Sequence, residues 1–209
     1  VTSGGDGPTV LEDRAVDLGY RRGDVVPDNL YHSRLFQASC GSGCPLRLPG
    51  GKPTADDRLI LDFGSGAGHD VLLMASHLLS LKDNSSSSSS ISNSEKKVIG
   101  VDVTPEMVDA ANANAKEYSQ LVSMVEFIHS NLEDPDPAFL SRLVHQVDLI
   151  ISNGVFNLFR DKQKAFQVAF QLLRPGGRLV FSDVMKLENE DINLDATIAT
   201  SINGDVFSS

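Results

Sequence analysis

Short apolar runs alternate with longer amphipathic segments between residues 58 and 184, and this alternation constrains the fold most. The apolar runs are typical of strands: RLILDF, KVIGVDV, VEFIHS, VDLIISN and RLVFSDV. The intervening segments are predicted to be helices: HDVLLMASHLLSL, PEMVDAANANAKEYSQLV, PAFLSRLVHQ and DKQKAFQVAFQLL. Nearly apolar strands separated by helices predict a mostly parallel sheet with helices on both faces. The expected fold class is therefore doubly wound, Rossmann-like α/β.

Residue types at the element ends refine this prediction. Thr104 is expected to cap the second helix, where Pro105 suits the first helical position. The sequence RPGG is expected to stop the fourth helix before the last strand. The tail from residue 188 to residue 209 is expected to contain one more helix.

The chain of 209 residues, 41% of them hydrophobic, is long enough for one domain with a sizeable core. Residues 1–57 are rich in glycine, proline and charge, which predicts an N-terminal arm or cap that is partly irregular. Residues 58–209 form the predicted ligand-binding domain. A serine tract at about 82–97 is too polar to bury and is expected to be a disordered insertion.

The net charge of −10 and the isoelectric point near 4.8 argue against a nucleic-acid partner, which would require clustered Lys and Arg. No apolar run approaches the roughly 18 residues of a membrane span, and the first residues do not resemble a secretory signal. We therefore expect a cytoplasmic protein that acts on a small molecule, with no membrane partner. The sequence leaves the oligomeric state open.

Metal and disulfide chemistry has little support in the sequence. The two cysteines, Cys40 and Cys44, are too few for a disulfide framework or a four-ligand zinc site. The favoured interpretation is a pair of free thiols, and their redox state is left open. The five histidines lack the spacing of metal ligands, so no metal site is predicted.

Ligands of doubly wound sheets bind outside the carboxyl ends of the strands, so each strand end is a candidate site. The first is followed by GSGAGHD, in which Gly64, Gly66 and Gly68 permit positive φ and close approach of backbone amides to a ligand. Their spacing differs from the dinucleotide fingerprint, and the chain has no P-loop. His69 could reach a ligand, but a solvent-facing position is the favoured interpretation.

The next two strand ends carry polar groups suited to a nucleoside. Asp102 can accept hydrogen bonds from both ribose hydroxyls. Asn131 or Glu133 could address an adenine edge, and Leu132 could pack on the ring. Alternatively, Asn131 only initiates a turn.

Other polar and aromatic candidates have two interpretations each. Asp183 ends the fifth strand and could reach the cleft or serve a turn. Tyr31, Phe36 and Phe156 could line a substrate pocket or contribute to packing.

Five segments together resemble class I S-adenosylmethionine-dependent methyltransferases over about residues 58–185. They are LILDFGSGAGHDV, VIGVDVTPEMVDAA, FIHSNLED, DLIISNGVFNL and LLRPGGRLVFSDV. The stretch from Ile151 to Val184, together with CGSG before the first strand, is similar to arsenite methyltransferases. The resemblance implies the class I methyltransferase fold, S-adenosyl-L-methionine as cofactor and a methyl acceptor as substrate. It leaves open whether the last antiparallel hairpin of that fold is present.

The resemblance also implies roles around the cofactor. The glycine loop would shape the pocket for the methionine moiety, Asp62 would organise the turn, and Asp102 would hold the ribose. The residues near the second and third strand ends would border or contact the adenine, and Ser152 and Asn153 at the end of the fourth would face the methionine end and the methyl group. The implied set is Asp62, Gly64, Ser65, Gly66, Gly68, Asp102, Val103, Met107, Asn131, Leu132, Ser152 and Asn153.

The thiols expected for arsenite are largely missing. Arsenite methyltransferases carry one cysteine after the Ser-Asn pair and another in the segment that aligns with TSINGD, where this chain has Gly154 and Ser201. Soft metalloids favour several thiolate ligands. Only Cys40 remains, with Cys44 as a neighbour that has no counterpart. The resemblance thus favours cofactor binding and weakens arsenite as the acceptor.

Methyl transfer from a sulfonium is an in-line displacement that mainly requires alignment and a dry pocket. No catalytic acid or base is assigned. The predicted function is a small-molecule methyltransferase of the arsenite-methyltransferase-like type. One alternative is a non-catalytic S-adenosylmethionine-binding relative that has lost the metalloid site. The other is an NAD-dependent oxidoreductase, which the glycine spacing and RPGG disfavour.

Overall fold

The protein was studied as a computed structural model, which describes residues 43–83, 96–184 and 200–203. Five parallel strands form the body of one sheet: β1 Leu59–Phe63, β2 Lys97–Asp102, β3 Val125–His129, β4 Val147–Asn153 and β5 Leu173–Ser182. A sixth strand, β6 Thr200–Asn203, pairs antiparallel with β5. The strand order is β3-β2-β1-β4-β5-β6, so the order reverses between β1 and β4. The predicted doubly wound fold is confirmed.

Four helices connect these strands: α1 His69–Asp83, α2 Pro105–Lys116, α3 Pro137–Leu143 and α4 Lys162–Leu172. The prediction that α2 continues to residue 122 is wrong. The chain leaves the helix after Lys116 and makes successive tight turns that bury Tyr118 and Leu121. Burying these two large side chains in the core outweighs the modest propensity of this segment for helix.

Helix α2 starts at the predicted residue, but the N-cap side chain does not form the expected hydrogen bond. Thr104 is the N-cap residue and Pro105 follows at the first helical position. The Thr104 side chain makes no capping hydrogen bond. Instead, its backbone amide donates to Asp102 over 2.9 Å, so this helix start is tied to the end of β2.

Neighbouring residues of each central strand pack into two different apolar clusters, one on each face of the sheet. Ile60 belongs to the cluster formed with α1 and α2, whereas Leu61 belongs to the cluster formed with α3 and α4. Both side chains have no solvent exposure. The period of two along a strand therefore explains why these strands are apolar on both sides.

The RPGG sequence lies inside β5. Helix α4 ends at Leu172, and β5 begins at the next residue rather than at Arg178 as predicted. Leu173 pairs with Val147, but Arg178 pairs with Leu149, so the intervening residues form an irregular excursion. A positive φ of 76° at Gly176 allows this excursion.

Residues 43–57, here called the entry segment, pack against the sheet domain. They contain the short 3-10 helix Pro45–Arg47. Arg178 binds both carboxylate oxygens of buried Asp57 over 2.7 and 2.9 Å, and it donates to the Gly50 carbonyl over 2.6 Å. The described part of the predicted arm is therefore clasped to β5. Residues 1–42 lie outside the described residues, as do Tyr31, Phe36 and Cys40.

Three further expectations concern the ends of the described ranges. The serine insertion predicted at about 82–97 overlaps the end of α1 at Asp83 and the start of β2 at Lys97, and residues 84–95 lie outside the described residues. The predicted tail helix is wrong for Thr200–Asn203, which is the edge strand β6. None of the helices in the described ranges is long and apolar enough to cross a lipid bilayer. The cytoplasmic location stays a prediction.

Candidate nucleoside site at the strand ends

The candidate site lies at the carboxyl ends of β1, β2 and β4, where the strand order reverses. We call this edge, formed by residues 62–68, 102–104 and 152–154, the rim. Asp62 pairs with Gly100 on one side and with Ile151 on the other, so β1 is central in the rim. The crevice outside such a switch point is where ligands of doubly wound sheets bind.

The glycine loop folds back onto β2 through its own backbone. The amides of Gly64 and Ser65 both donate to the Val101 carbonyl, over 2.8 and 3.0 Å. Gly64, Gly66 and Gly68 have φ values of 74°, 51° and 89°, as predicted for a tight turn of glycines. L-residues rarely adopt these values, so the backbone needs glycine in this turn.

Gly66 differs from the other two glycines in its surroundings. A Cβ atom added at Gly64 would lie 2.4 Å from the Val155 side chain, and one at Gly68 would lie 2.7 Å from Phe127. A Cβ added at Gly66 would meet no atom of residues 43–83, 96–184 or 200–203 within 4 Å. Gly66 therefore faces open space at the rim, where a ligand can approach the backbone.

Asp102 lies directly beside this open glycine. Its Oδ2 accepts the amide of Gly66 over 2.8 Å, and its Oδ1 accepts the amide of Thr104 over 2.9 Å. Each carboxylate oxygen can accept a second hydrogen bond. The carboxylate is thus fixed in place by the backbone and retains the capacity to bind two ribose hydroxyls.

Asp62 makes the rim receptive to positive charge. Its carboxyl is buried, and burial raises its pKa well above 3.8, helped by the nearby carboxylates of Asp70 and Asp102. Burial and like charges both disfavour the ionised form. A cation in the crevice would relieve this repulsion, and this electrostatic preference suits a sulfonium or an ammonium group.

Several buried hydroxyls at the strand ends make no hydrogen bond within the described residues. They are Ser65 Oγ in the glycine loop, Ser130 Oγ after β3 and Ser182 Oγ at the end of β5. Buried polar atoms normally have partners, and a polar ligand or bound water would supply them. Of the three, only Ser65 belongs to the rim, because β3 and β5 are separated by β2, β1 and β4.

On the side predicted for adenine, Val103 is 60% exposed and Met107 is partly buried. Asn131 is exposed and forms a turn, since its Oδ1 accepts the Glu133 amide over 3.0 Å. Leu132 is buried in the cluster that faces α3 and α4. The structure therefore brings Val103 and Asn131 to the surface of this side, while the Leu132 side chain serves the core.

The side chains of Ser152 and Asn153, at the end of β4, form hydrogen bonds with other residues of the protein. Ser152 is fully buried, and its hydroxyl donates to the Phe63 carbonyl over 2.9 Å. Asn153 Nδ2 donates to Asp70 Oδ2 over 3.1 Å, and Asn153 Oδ1 accepts the amide of Gly43 over 3.3 Å. Both residues thus hold neighbouring segments in place at the rim.

Gly154 has a conformation that explains the absence of a larger side chain. Its φ is 70°, and its amide donates to the Ser182 carbonyl over 2.8 Å. This bond links the end of β4 to the end of β5, so the backbone here is fixed in a left-handed turn. A cysteine at this position would be strained by about 1–2 kcal/mol.

Three further candidates serve the fold around the site. His69 is 7% exposed, so the expectation that it faces solvent is wrong. It is the first residue of α1, directly after the glycine loop, and burial lowers the pKa of its imidazole. Phe156 is buried and stacks on Phe166 at 4.5 Å, which favours the packing interpretation. Asp183 accepts the amide of Asn157, 26 positions away, over 2.9 Å, so it links the end of β5 to the short 3-10 helix Phe156–Leu158 after β4.

Cys44 is the one free thiol among the described residues, and it is 3% exposed. Burial raises the pKa of its thiol, and the nearby Asp70 carboxylate raises it further. The neutral thiol is a poor ligand for a metalloid, which binds the thiolate. Within the described ranges, no three His, Cys, Asp or Glu side chains group as metal ligands would.

Two residues at the rim were not singled out in the sequence. Asp70 lies in the first turn of α1, where its carboxylate accepts from Asn153. Asn114 donates from α2 to the Ala67 carbonyl over 3.0 Å, so it supports the glycine loop. Acidic residues are common in the first turn of a helix, where they interact favourably with the helix dipole, so the sequence gives a weak signal for Asp70. Nothing local in the sequence indicates the contact of Asn114.

Comparison with known proteins agrees with this geometry. A family model described as "Methyltransferase domain" matches residues 55–205. An arsenite methyltransferase of Halobacterium salinarum is 33% identical over 188 residues, which are 85% of this chain and 39% of that protein. The human arsenite methyltransferase is 34% identical over 146 residues, which are 68% of this chain and 34% of that protein.

A solved structure shares both fold and sequence with the chain. It is the crystal structure of an arsenic(III) S-adenosylmethionine methyltransferase from Chlamydomonas reinhardtii, with a TM-score of 0.54 and 26% identity. The match covers 85% of this chain and 50% of that one. The chain thus spans half or less of the length of these relatives.

Proposed function

The chain belongs to the family of methyltransferase domains, and on that premise we propose that it binds S-adenosyl-L-methionine at the rim and transfers its methyl group to a small-molecule acceptor. S-adenosylmethionine is the cofactor that this family membership implies. The observation that carries the proposal is the open space over Gly66 directly beside the Asp102 carboxylate.

The residues present fit this cofactor in three respects. Asp102 offers two fixed acceptors for the ribose hydroxyls, and the Gly66 backbone is accessible to the ligand. Asp62 lies in a cluster of carboxylates that favours a cation. The Ser65 hydroxyl in the glycine loop, which has no partner within the described residues, can satisfy a further polar atom. No single feature identifies the cofactor, but these three meet at one switch point.

When bound, the cofactor supplies the methyl group and a thioether leaving group. The acceptor would supply the lone pair that displaces the thioether from the methyl carbon. The acceptor needs no base if its lone pair is free. The residues of this chain align the reactants and exclude water, which is the larger part of catalysis in such a displacement.

Arsenite, the acceptor named in the relatives, does not fit the thiols of this chain. Gly154 and Ser201 stand where arsenite methyltransferases carry cysteines, and Cys44 is held as a buried neutral thiol. Arsenite capture needs two or three thiolates together. We therefore propose a small acceptor with its own lone pair rather than arsenite, and the net charge of −10 disfavours a nucleic acid.

A second candidate is a cofactor-binding protein without turnover. The same loss of thiol positions favours it, because a relative that no longer binds its metalloid can retain the cofactor pocket. The two candidates share cofactor binding and differ only in whether an acceptor is methylated. Binding and turnover must therefore be tested separately.

Calorimetric titration with S-adenosylmethionine, S-adenosylhomocysteine and NAD tests the cofactor. We expect binding of both sulfur nucleosides and none of NAD, and the reverse pattern would overturn the proposal. Turnover is tested by incubating the protein with methyl-labelled cofactor and a panel of thiols, arsenite and a metabolite extract. Label that appears on a small molecule favours the enzyme, whereas label that stays on the cofactor throughout favours the non-catalytic binder.

A further inference from the structure

One side-chain amide joins three distant parts of the chain at the rim. Asn153, at the end of β4, accepts the amide of Gly43 in the entry segment and donates to Asp70 in the first turn of α1. Gly43 lies 110 positions from Asn153 in sequence, and Asp70 lies 83 positions from it. Both polar ends of this amide are thus used within the protein.

The entry segment has a second attachment at the opposite edge of the sheet. Arg178 clasps Asp57 and the carbonyls of Gly50 and Lys52. Asp57 lies two residues before β1, so this clasp lies at the amino ends of the strands. The entry segment therefore runs along the sheet from the clasp to the rim, and the Asn153 link fixes its rim end.

We propose that Asn153 is a positioning residue, whose amide holds the entry segment against the start of α1 and thereby closes the β4 side of the cofactor site. This inference rests on the proposed function, because it assigns the link to the pocket for the methionine end. It gives Asn153 a role through Gly43 and Asp70 rather than through direct contact with the cofactor.

An amide is suited to this position because the two partners demand opposite hydrogen-bonding roles. The Gly43 amide needs an acceptor, and the Asp70 carboxylate needs a donor. A carboxylate at position 153 would satisfy Gly43 but repel Asp70 across about 3 Å. Among the described residues, titratable groups that interact with Asp70 include Asp62 on β1, His69 beside it on α1 and the Cys44 thiol of the entry segment.

The decisive variant is Asn153→Asp, which changes one atom and introduces that repulsion. We expect faster hydrogen exchange at the Gly43 and Cys44 amides and roughly tenfold weaker S-adenosylmethionine binding at slightly alkaline pH, as for one lost hydrogen bond. At acidic pH the two facing carboxyls can share a proton, so both properties should return toward wild type. Asn153→Ala should show the same losses at every pH.

A swap of the two partners provides the rescue. In the double variant Asn153→Asp with Asp70→Asn, the donor and the acceptor exchange places and the repulsion disappears. We expect wild-type exchange rates and affinity across the pH range. The matched control is Gln167→Glu on the exposed surface of α4, which likewise replaces an amide by a carboxylate and should change neither property.

These measurements separate failure of the link from failure of the function. Hydrogen exchange in the cofactor-free protein tests the link alone, and unchanged rates in Asn153→Asp at all pH values would overturn it. Weakened binding that the swap does not restore would overturn the positioning role. Wild-type protein that binds no S-adenosylmethionine would overturn the proposed function and this role together. If Asn153→Asp does not fold, Asp70→Ala probes the same link from its other partner.

Discussion

The backbone amide of Gly66 donates to Asp102 Oδ2 over 2.8 Å, although the two residues lie 36 positions apart in the chain. The bond places the one glycine of the loop that faces open space directly beside a fixed carboxylate. Both groups are held by the backbone before any ligand arrives, because Thr104 fixes the other oxygen of Asp102. Pre-organisation of this kind lowers the entropic cost of binding.

The first prediction concerns the carboxylate. Asp102→Ala should weaken S-adenosylmethionine binding by about 1–3 kcal/mol, because hydrogen bonds to a charged acceptor are lost. Asp109→Ala, on the exposed face of α2, removes the same charge and should leave the affinity unchanged. Calorimetric titration of both variants is the measurement. Equal affinities for Asp102→Ala and wild type would remove this residue from ribose binding.

The second prediction separates two glycines of the same loop. Gly66→Ala should cost about 1–2 kcal/mol of stability from its φ of 51°, and its methyl group should additionally obstruct the cofactor. Gly68→Ala should cost roughly 2–4 kcal/mol, because strain combines with a contact of 2.7 Å to Phe127. Urea unfolding and calorimetry distinguish the two effects. A cofactor affinity unaltered in Gly66→Ala would mean that the open space is not the binding site.

The sheet, and the edge at which the loops after its parallel strands meet, could be predicted because both depend on local patterns. The run VDLIISN was predicted as a strand, and β4 has those bounds, Val147–Asn153. Strands that are buried on both faces of a sheet are apolar along nearly their whole length, so they can be recognised from the sequence alone. Turn residues that follow each strand then indicate the rim, since all parallel strands end at the same edge.

The contacts that complete the rim could not be predicted in this way. Asn153 bonds to Gly43 across 110 positions, and nothing in either segment indicates the other. The burial of His69 depends on how α1 packs on the sheet, which the helical pattern does not specify. The end of α2 was similarly set by tertiary burial of Tyr118 rather than by local propensity.

The third prediction uses the pH dependence of stability. Burial raises the pKa of Asp62 in the folded protein above 3.8, so the folded state favours the protonated form. Its contribution to stability is fully present below the unfolded pKa and is lost as pH rises through the folded pKa. Asp62→Asn cannot ionise, so its stability relative to wild type should increase from acidic to neutral pH.

Urea unfolding of Asp62→Asn and wild type at a series of pH values tests this sign. Asp109→Asn, which removes an exposed carboxylate from α2, is the matched control for the loss of one negative charge. The gain in stability should accompany weaker S-adenosylmethionine binding, because the rim loses a group that favours the cation. A stability difference that stays constant with pH would show that Asp62 titrates normally in the folded state.

The fourth prediction concerns the glycine that follows the Ser-Asn pair. Gly154→Cys restores a thiol where arsenite methyltransferases carry one, but the backbone there has a φ of 70°. We expect a loss of about 1–2 kcal/mol in the free energy of unfolding, shared by the control Gly154→Ala, which has the strain without the thiol. We also expect no methylation of arsenite, because Ser201 still occupies the other cysteine position, the buried Cys44 thiol stays neutral, and Cys40 is then the only other thiol in the sequence. Unfolding measurements and a labelled-methyl assay with arsenite test both parts. Arsenite-dependent transfer by Gly154→Cys alone would show that the rim needs only one added thiol, and our assignment of a different acceptor would then be wrong.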